Sequence, residues 1–147
     1  MPEQPLEKSS PMPGQVFRHP RYYRDESGWQ NKYLLILTVS ADDLIYRLLT
    51  SRPHGRPEQP PCYHGDPYPG FYLGGALGAK TWFDLRQQDD YDRRVFCRHL
   101  TDGLLTLETT LSKTQLCAAL NCAANADDTT RQQSRLMRDT RAQIGCD

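Results

Sequence analysis

The sequence predicts a mostly β protein with some helix: a small, strongly bent antiparallel sheet or partly open barrel, closed on one side by a C-terminal helix. Three observations lead there. Short runs rich in β-branched and aromatic residues recur between turn signals over the first two thirds of the chain. The last third changes character, with a capping pattern at Ser112-Lys-Thr-Gln115 followed by Leu and Ala near one helical face. A length of 147 residues suits one domain with room for a single core.

Residues 1–13 hold Pro2, Pro5, Pro11 and Pro13 among polar side chains and read as a flexible arm, with the fold starting at Gly14. Residues 15–19 alternate weakly and form a first strand, which Pro20 is expected to stop because proline removes a ladder donor. A charged, aromatic loop then runs to Asn31. Residues 32–38 are a continuous apolar run, too short for a typical helix, and read as a central strand. Ser40-Ala-Asp-Asp43 turns the chain, and residues 44–50 return antiparallel, although their leucines also suit a helical turn.

From Ser51 to Gly70, six prolines and three glycines exclude a persistent helix or central strand, so a long loop is expected. Residues 71–73 give a short strand before the Gly74-Gly-Ala-Leu-Gly78 turn, residues 81–85 a stronger one, and residues 93–100 one more. A helix is placed at about 113–123, and a second begins near Asp127 or Asp128, carrying Arg131, Arg135, Arg138 and Arg141. The expected organisation is an arm at 1–13, a single barrel domain at 14–124 and a polar helix or tail at 125–147, with no internal repeat.

Charge limits the partners. Eighteen Lys and Arg balance eighteen Asp and Glu, so no net field steers the whole chain to a duplex or an anionic membrane. Any nucleic-acid site must be local. The longest apolar stretch, residues 33–37, is far below the ~20 residues that span a bilayer, and the Pro-rich start has no apolar signal region. A cytoplasmic protein without a membrane partner is expected. Five cysteines form an odd, scattered set that reads as reduced thiols, with Cys117 and Cys122 acting as small buried hydrophobes in the Ala/Leu-rich helix.

Three small constellations carry little chemistry. Cys62-Tyr-His64 and Cys97-Arg-His99 could present four N/S ligands to a tetrahedral zinc, but their spacing matches no common finger, and separate unligated packing is the preferred reading. The cluster Gly74-Gly-Ala-Leu-Gly78 lacks both phosphate-loop patterns and reads as a turn. The arginines at 131–141 are balanced by Asp127, Asp128, Asp139 and Asp147 and read as a solvated face. No cofactor is expected.

A richer set lies at the predicted strand ends: His19, Arg21 and Arg24, then Lys32, then Thr50, Ser51 and Arg52, then Asp84 and Arg86. If these ends converge, they supply what metal-independent RNA cleavage needs: a base for the 2′-hydroxyl, cations at the phosphate and a proton donor for the leaving oxygen. His19 or Asp84 is the expected base or acid. Tyr22, Tyr23, Trp29 and Tyr68 offer faces for splayed bases. The competing reading is solvated loop charge with aromatics covering the core edge.

The order of these segments resembles the MazF/PemK family of toxin ribonucleases. Pro13-Gly-Gln-Val-Phe17 is similar to the family's Gly-led first strand, and residues 32–38 to its basic residue followed by an apolar strand. Leu48-Leu-Thr-Ser51 resembles the strand that lines the family's active site, Thr81-Trp-Phe-Asp-Leu85 a later acidic strand, and residues 103–120 the closing turn and Leu-rich helix. The resemblance implies an SH3-like barrel, a homodimer, an antitoxin partner and cleavage of single-stranded RNA. It implies catalytic roles for Asp84, Thr50, Ser51 and Lys32. Lys32-Tyr33 stands where members usually have Arg-Pro, and Trp82 where some carry an arginine, so Arg21, Arg52 or Arg86 is expected to substitute. A second reading is a non-catalytic module that binds a protein partner through the Pro-rich 51–70 loop. Geometry separates the two: Lys32, Thr50, Asp84 and an arginine either line one cleft or are dispersed.

Overall fold

The computed structural model describes residues 10–59 and 62–146. Most of the predicted arm, residues 1–9, lies outside the described residues. Seven strands form one antiparallel sheet: β1 (Gln15–Asp25), β2 (Gly28–Val39), β3 (Asp43–Thr50), β4 (Gly70–Gly74), β5 (Thr81–Asp84), β6 (Tyr91–Asp92) and β7 (Thr106–Thr110). Among the described residues, three helices accompany them: α1 (Arg93–Thr101), α2 (Lys113–Ala124) and α3 (Arg131–Ile144). The strand order is β4-β5-β3-β2-β1-β7, with β6 paired to β3. The sheet curls into a half-barrel closed by the C-terminal helices, the predicted mostly β fold.

The apolar run at the centre of β2 is continuous because both faces of the sheet are covered. Leu35 and Leu37 pack with Ile45, Leu49, Phe83 and the helical residues Leu116, Leu120 and Met137. Leu34 and Ile36 point the other way, onto Phe17, Leu48, Phe96 and Leu105. All four β2 residues are fully buried. A strand exposed on one face would have alternated; one buried on both has no reason to.

Pro20 does not stop β1. Its missing N–H falls where the β1–β2 register shifts, between His19 and Tyr23, and pairing resumes at Tyr23↔Gln30 and Arg24↔Trp29. The expected 20–31 loop is therefore the distal half of a hairpin. The predicted strand at 93–100 is helix α1, capped by Asp92, whose carboxylate accepts the Val95 N–H at 3.0 Å. Its buried Phe96 meets Phe17 edge-on at 5.1 Å. Strand β7 has no apolar alternation because Thr106, Leu107 and Glu108 are exposed at the sheet edge beside β1.

Helix α2 starts where the capping pattern places it, with the Gln115 N–H donating to Ser112 Oγ at 3.2 Å. Helix α3 begins after its cap Thr130, a few residues later than Asp127 and Asp128 suggested. It is docked firmly: Met137 is fully buried, and Thr140 Oγ1 lies 2.8 Å from Thr38 Oγ1 on β2. Arg47, fully buried on β3, donates to Gln133 Oε1 at 2.8 Å and to the Tyr46 carbonyl at 2.9 Å. The stretch 125–147, read from sequence as a polar helix or tail, thus contributes to the core.

The expectation of reduced thiols is overturned. Cys62 is bonded to Cys122 and Cys117 to Cys146, with Cα atoms 5.7 Å apart in each pair, and Cys97 is free. The partners are 60 and 29 residues apart in sequence, so only folding brings them into range. Cys122 is indeed buried in the core, but as half of a crosslink that ties the Pro-rich loop to α2. Among the described residues, no helix is long and apolar enough to cross a membrane.

Candidate functional site

Sheet order places the ends of β2, β3 and β5 side by side: Tyr33 pairs with Leu49, and Thr50 with Trp82. Lys32, Thr50, Ser51, Arg52, Asp84 and Arg86 consequently line one cleft of about 280 Å³. Tyr23 and Gln30 of the hairpin form one wall, and His54 and Arg56 of the Pro-rich loop form another. The polar ends of β2, β3 and β5 converge here, while His19, Arg21 and Arg24 of β1 do not line this cleft.

Asp84 is only 4% exposed and its carboxylate is saturated. Arg86 forks onto both oxygens through its guanidinium and adds its backbone N–H at 3.0 Å, while Arg56 Nη2 lies 3.9 Å from Oδ2. That hydrogen bonding raises the Arg86 pKa above the ordinary arginine value. With both oxygens engaged by the Arg86 fork and Arg56 close by, the carboxylate is a fixed anchor. Asp84 thus orients Arg86 toward the cleft.

Arg56 supports the loop from beneath. Its side chain is 1% exposed, donates from Nε to the Tyr68 carbonyl at 3.1 Å and from Nη1 to the Arg52 carbonyl at 2.8 Å. Burial lowers its pKa below the usual value, partly offset by Asp84. Gly70 is required beside it, because a Cβ there would lie 2.5 Å from Arg56 Cδ. Above, Tyr68 stacks on His54 at 4.3 Å and lies 5.5 Å from the guanidinium carbons of both Arg56 and Arg86. His54 turns the loop with a φ of +47°, in the left-handed region that non-glycine residues seldom occupy.

Lys32, Arg52, Arg56 and Arg86 set four cations against the single carboxylate of Asp84. Among the described residues, neither Lys32 nor Arg52 has a carboxylate within ion-pair range. In a chain with no net charge this is a concentrated positive field, suited to an anion. Thr50 accepts the Arg52 N–H at 3.1 Å, and Ser51 is exposed at the mouth.

Other candidates lie elsewhere. His19, Arg21 and Trp29 line a separate depression of about 540 Å³ with His99, so His19 is not brought to the cleft as base or acid. Burial and then the nearby His99 lower the His19 pKa. The candidate zinc set is scattered: Cys62 is in a disulfide, Cys97 sits on α1, His99 Nδ1 is 2.8 Å from the Tyr91 hydroxyl, and His64 lines a third depression beside Arg86. Among the described residues, no group of three or more His, Cys, Asp or Glu is placed to hold a metal ion. His54 and Arg56 were missed because a histidine and an arginine in a Pro-rich loop look solvated; the adjacent Gly55 was the sole local hint of a tight turn.

No protein-family model, curated protein or solved structure matches this chain.

Proposed function

We propose that the chain is a metal-independent endoribonuclease that binds single-stranded RNA in the cationic cleft. The observation that carries this reading is the convergence of Lys32, Arg52, Arg56 and Arg86 with Thr50 and Ser51 at adjacent strand ends. In this reading, Lys32, Arg52 and Arg86 bind the phosphate and stabilise the charge that builds on its oxygens. Thr50 and Ser51 hold one of those oxygens. His54 takes the 2′-hydroxyl proton as that oxygen attacks phosphorus, the bond to the 5′-oxygen breaks, and that oxygen takes a proton from solvent water while the His54 imidazolium returns its own to the solvent. The products carry a 2′,3′-cyclic phosphate and a 5′-hydroxyl. The MazF/PemK likeness, with its homodimer and antitoxin, belongs to the same proposal, but the two disulfides favour an oxidising compartment over the cytoplasm.

The second reading, a non-catalytic module that binds a protein through the Pro-rich loop, draws support from the saturation of Asp84, which leaves the cleft without a free carboxylate base. The two are separated by incubating a long single-stranded RNA in EDTA and mapping the new ends. Cleavage at discrete sites with 5′-hydroxyl ends, slowed roughly a hundredfold or more by His54→Ala, is expected for the enzyme. No cleavage, or equal cleavage by wild type, His54→Ala and Lys32→Ala/Arg52→Ala, refutes it and leaves the binding module.

A further inference from the structure

The depression around Trp29 has the composition of a binding site and no part in the chemistry just described. Trp29 keeps 53% of its surface exposed although Arg24, its partner across the hairpin, lies 5.7 Å from the ring centroid. Behind it stand two imidazoles, His19 and His99, with ring centroids 6.2 Å apart. Each is held through its Nδ1: His19 accepts the Arg21 N–H at 3.2 Å, and His99 shares a 2.8 Å hydrogen bond with the Tyr91 hydroxyl. Their orientation is therefore set before any ligand arrives, and among the described residues neither Nε2 has a hydrogen-bond partner. Asp102 and Arg21 also line it, one an acceptor and the other a cation.

We infer that this depression is a nucleobase subsite, in which Trp29 stacks a base of the bound single strand. The inference rests on the RNA reading above. An indole gives any base a stacking face, two fixed imidazoles and a carboxylate offer donors and acceptors to its edge, and Arg21 meets the adjoining phosphate. A volume of about 540 Å³ suits a ligand of nucleoside size. Strand β2 supplies the remaining argument: Trp29 lines the depression while Gln30 and Lys32 line the cleft, so one strand contributes to both sites.

Uncleavable 2′-deoxy oligonucleotides test this, a dinucleotide that fills only the cleft and an octanucleotide that spans both. Trp82 is 2% exposed, so a quench of tryptophan emission by an added base reports Trp29. The octanucleotide is expected to quench it and the dinucleotide not. Trp29→Leu should weaken octanucleotide binding about tenfold and leave dinucleotide binding unchanged. Arg21→Ser, remote from the core, should weaken the octanucleotide alone. Lys32→Ala/Arg52→Ala should weaken both ligands; if it weakens neither while Trp29 is still quenched, the cleft reading fails and the subsite stands. Full octanucleotide affinity in Trp29→Leu overturns the subsite and leaves the exposed indole to a protein partner. Absence of binding by wild type overturns both.

Discussion

Arg56 is where the architecture of the cleft is most exposed to test. Its replacement by alanine removes two charge-assisted hydrogen bonds, to the carbonyls of Tyr68 and Arg52, and the longer contact with Asp84. Hydrogen bonds to a charged group contribute about 1.5–3 kcal/mol each, offset by release of a desolvated guanidinium and by relaxation of the loop toward water. Because Arg86 keeps Asp84 paired, the net cost is set at about 2–4 kcal/mol, below the roughly 3–5 kcal/mol of a fully broken buried pair. With an unfolding entropy of ~2.1 cal/mol/K per residue, each kcal/mol corresponds to about 3 °C, giving a fall in Tm of about 6–12 °C. Urea unfolding in a Trp29→Leu background, followed by the emission of Trp82, whose indole N–H donates to the Pro57 carbonyl of the same loop, measures it. Arg56→Met keeps the packing of the stem and separates lost volume from lost hydrogen bonds. A loss below about 1 kcal/mol in Arg56→Ala would refute the claim that this side chain holds the wall of the cleft.

Three further outcomes are expected. Arg47 is buried with its Nε unpaired, and burial lowers its pKa to about 10. Arg47→Met, which removes the charge, should therefore cost less in urea unfolding than Gln133→Ala, which leaves the guanidinium in place without its 2.8 Å acceptor. Thiol titration of the unreduced, denatured chain should find one reactive group, Cys97; three or more would refute the pairing of Cys62 with Cys122 and Cys117 with Cys146. The His19 pKa is lowered from 6.5 by burial and by His99, so the unfolded state binds protons more readily just below that value. His19 thus favours the fold above pH 6.5 and loses that contribution as pH falls through its folded value; His19→Gln should flatten that part of the stability profile, and an unchanged slope would count against it.

Much of the molecule was legible locally. The apolar block at 32–38, the turn at 40–43, the return at 44–50 and the cap at Ser112 each encode their own structure through short-range patterning, and each is present. The clustering of Lys32, Thr50, Asp84 and Arg86 was foreseeable once those strands were taken as neighbours, because antiparallel pairing brings their ends together. Helix α1 was read as a strand because Val95, Phe96 and Leu100 satisfy either period over so short a run, and the Asp92 cap decided between them.

Sequence by itself therefore determined the strands whose residues are buried on both faces, the glycine- and proline-bounded loop, and which strand-end side chains are polar. Tertiary structure alone decided that Asp84 is clamped by arginines, that His19 lies apart from the cleft while His54 enters it, and that four cysteines are crosslinked. The reason is range. Strand periodicity and helix capping act between residues a few positions apart, whereas Arg56 meets Tyr68 and Asp84, and Cys62 meets Cys122, only after the chain has folded back on itself.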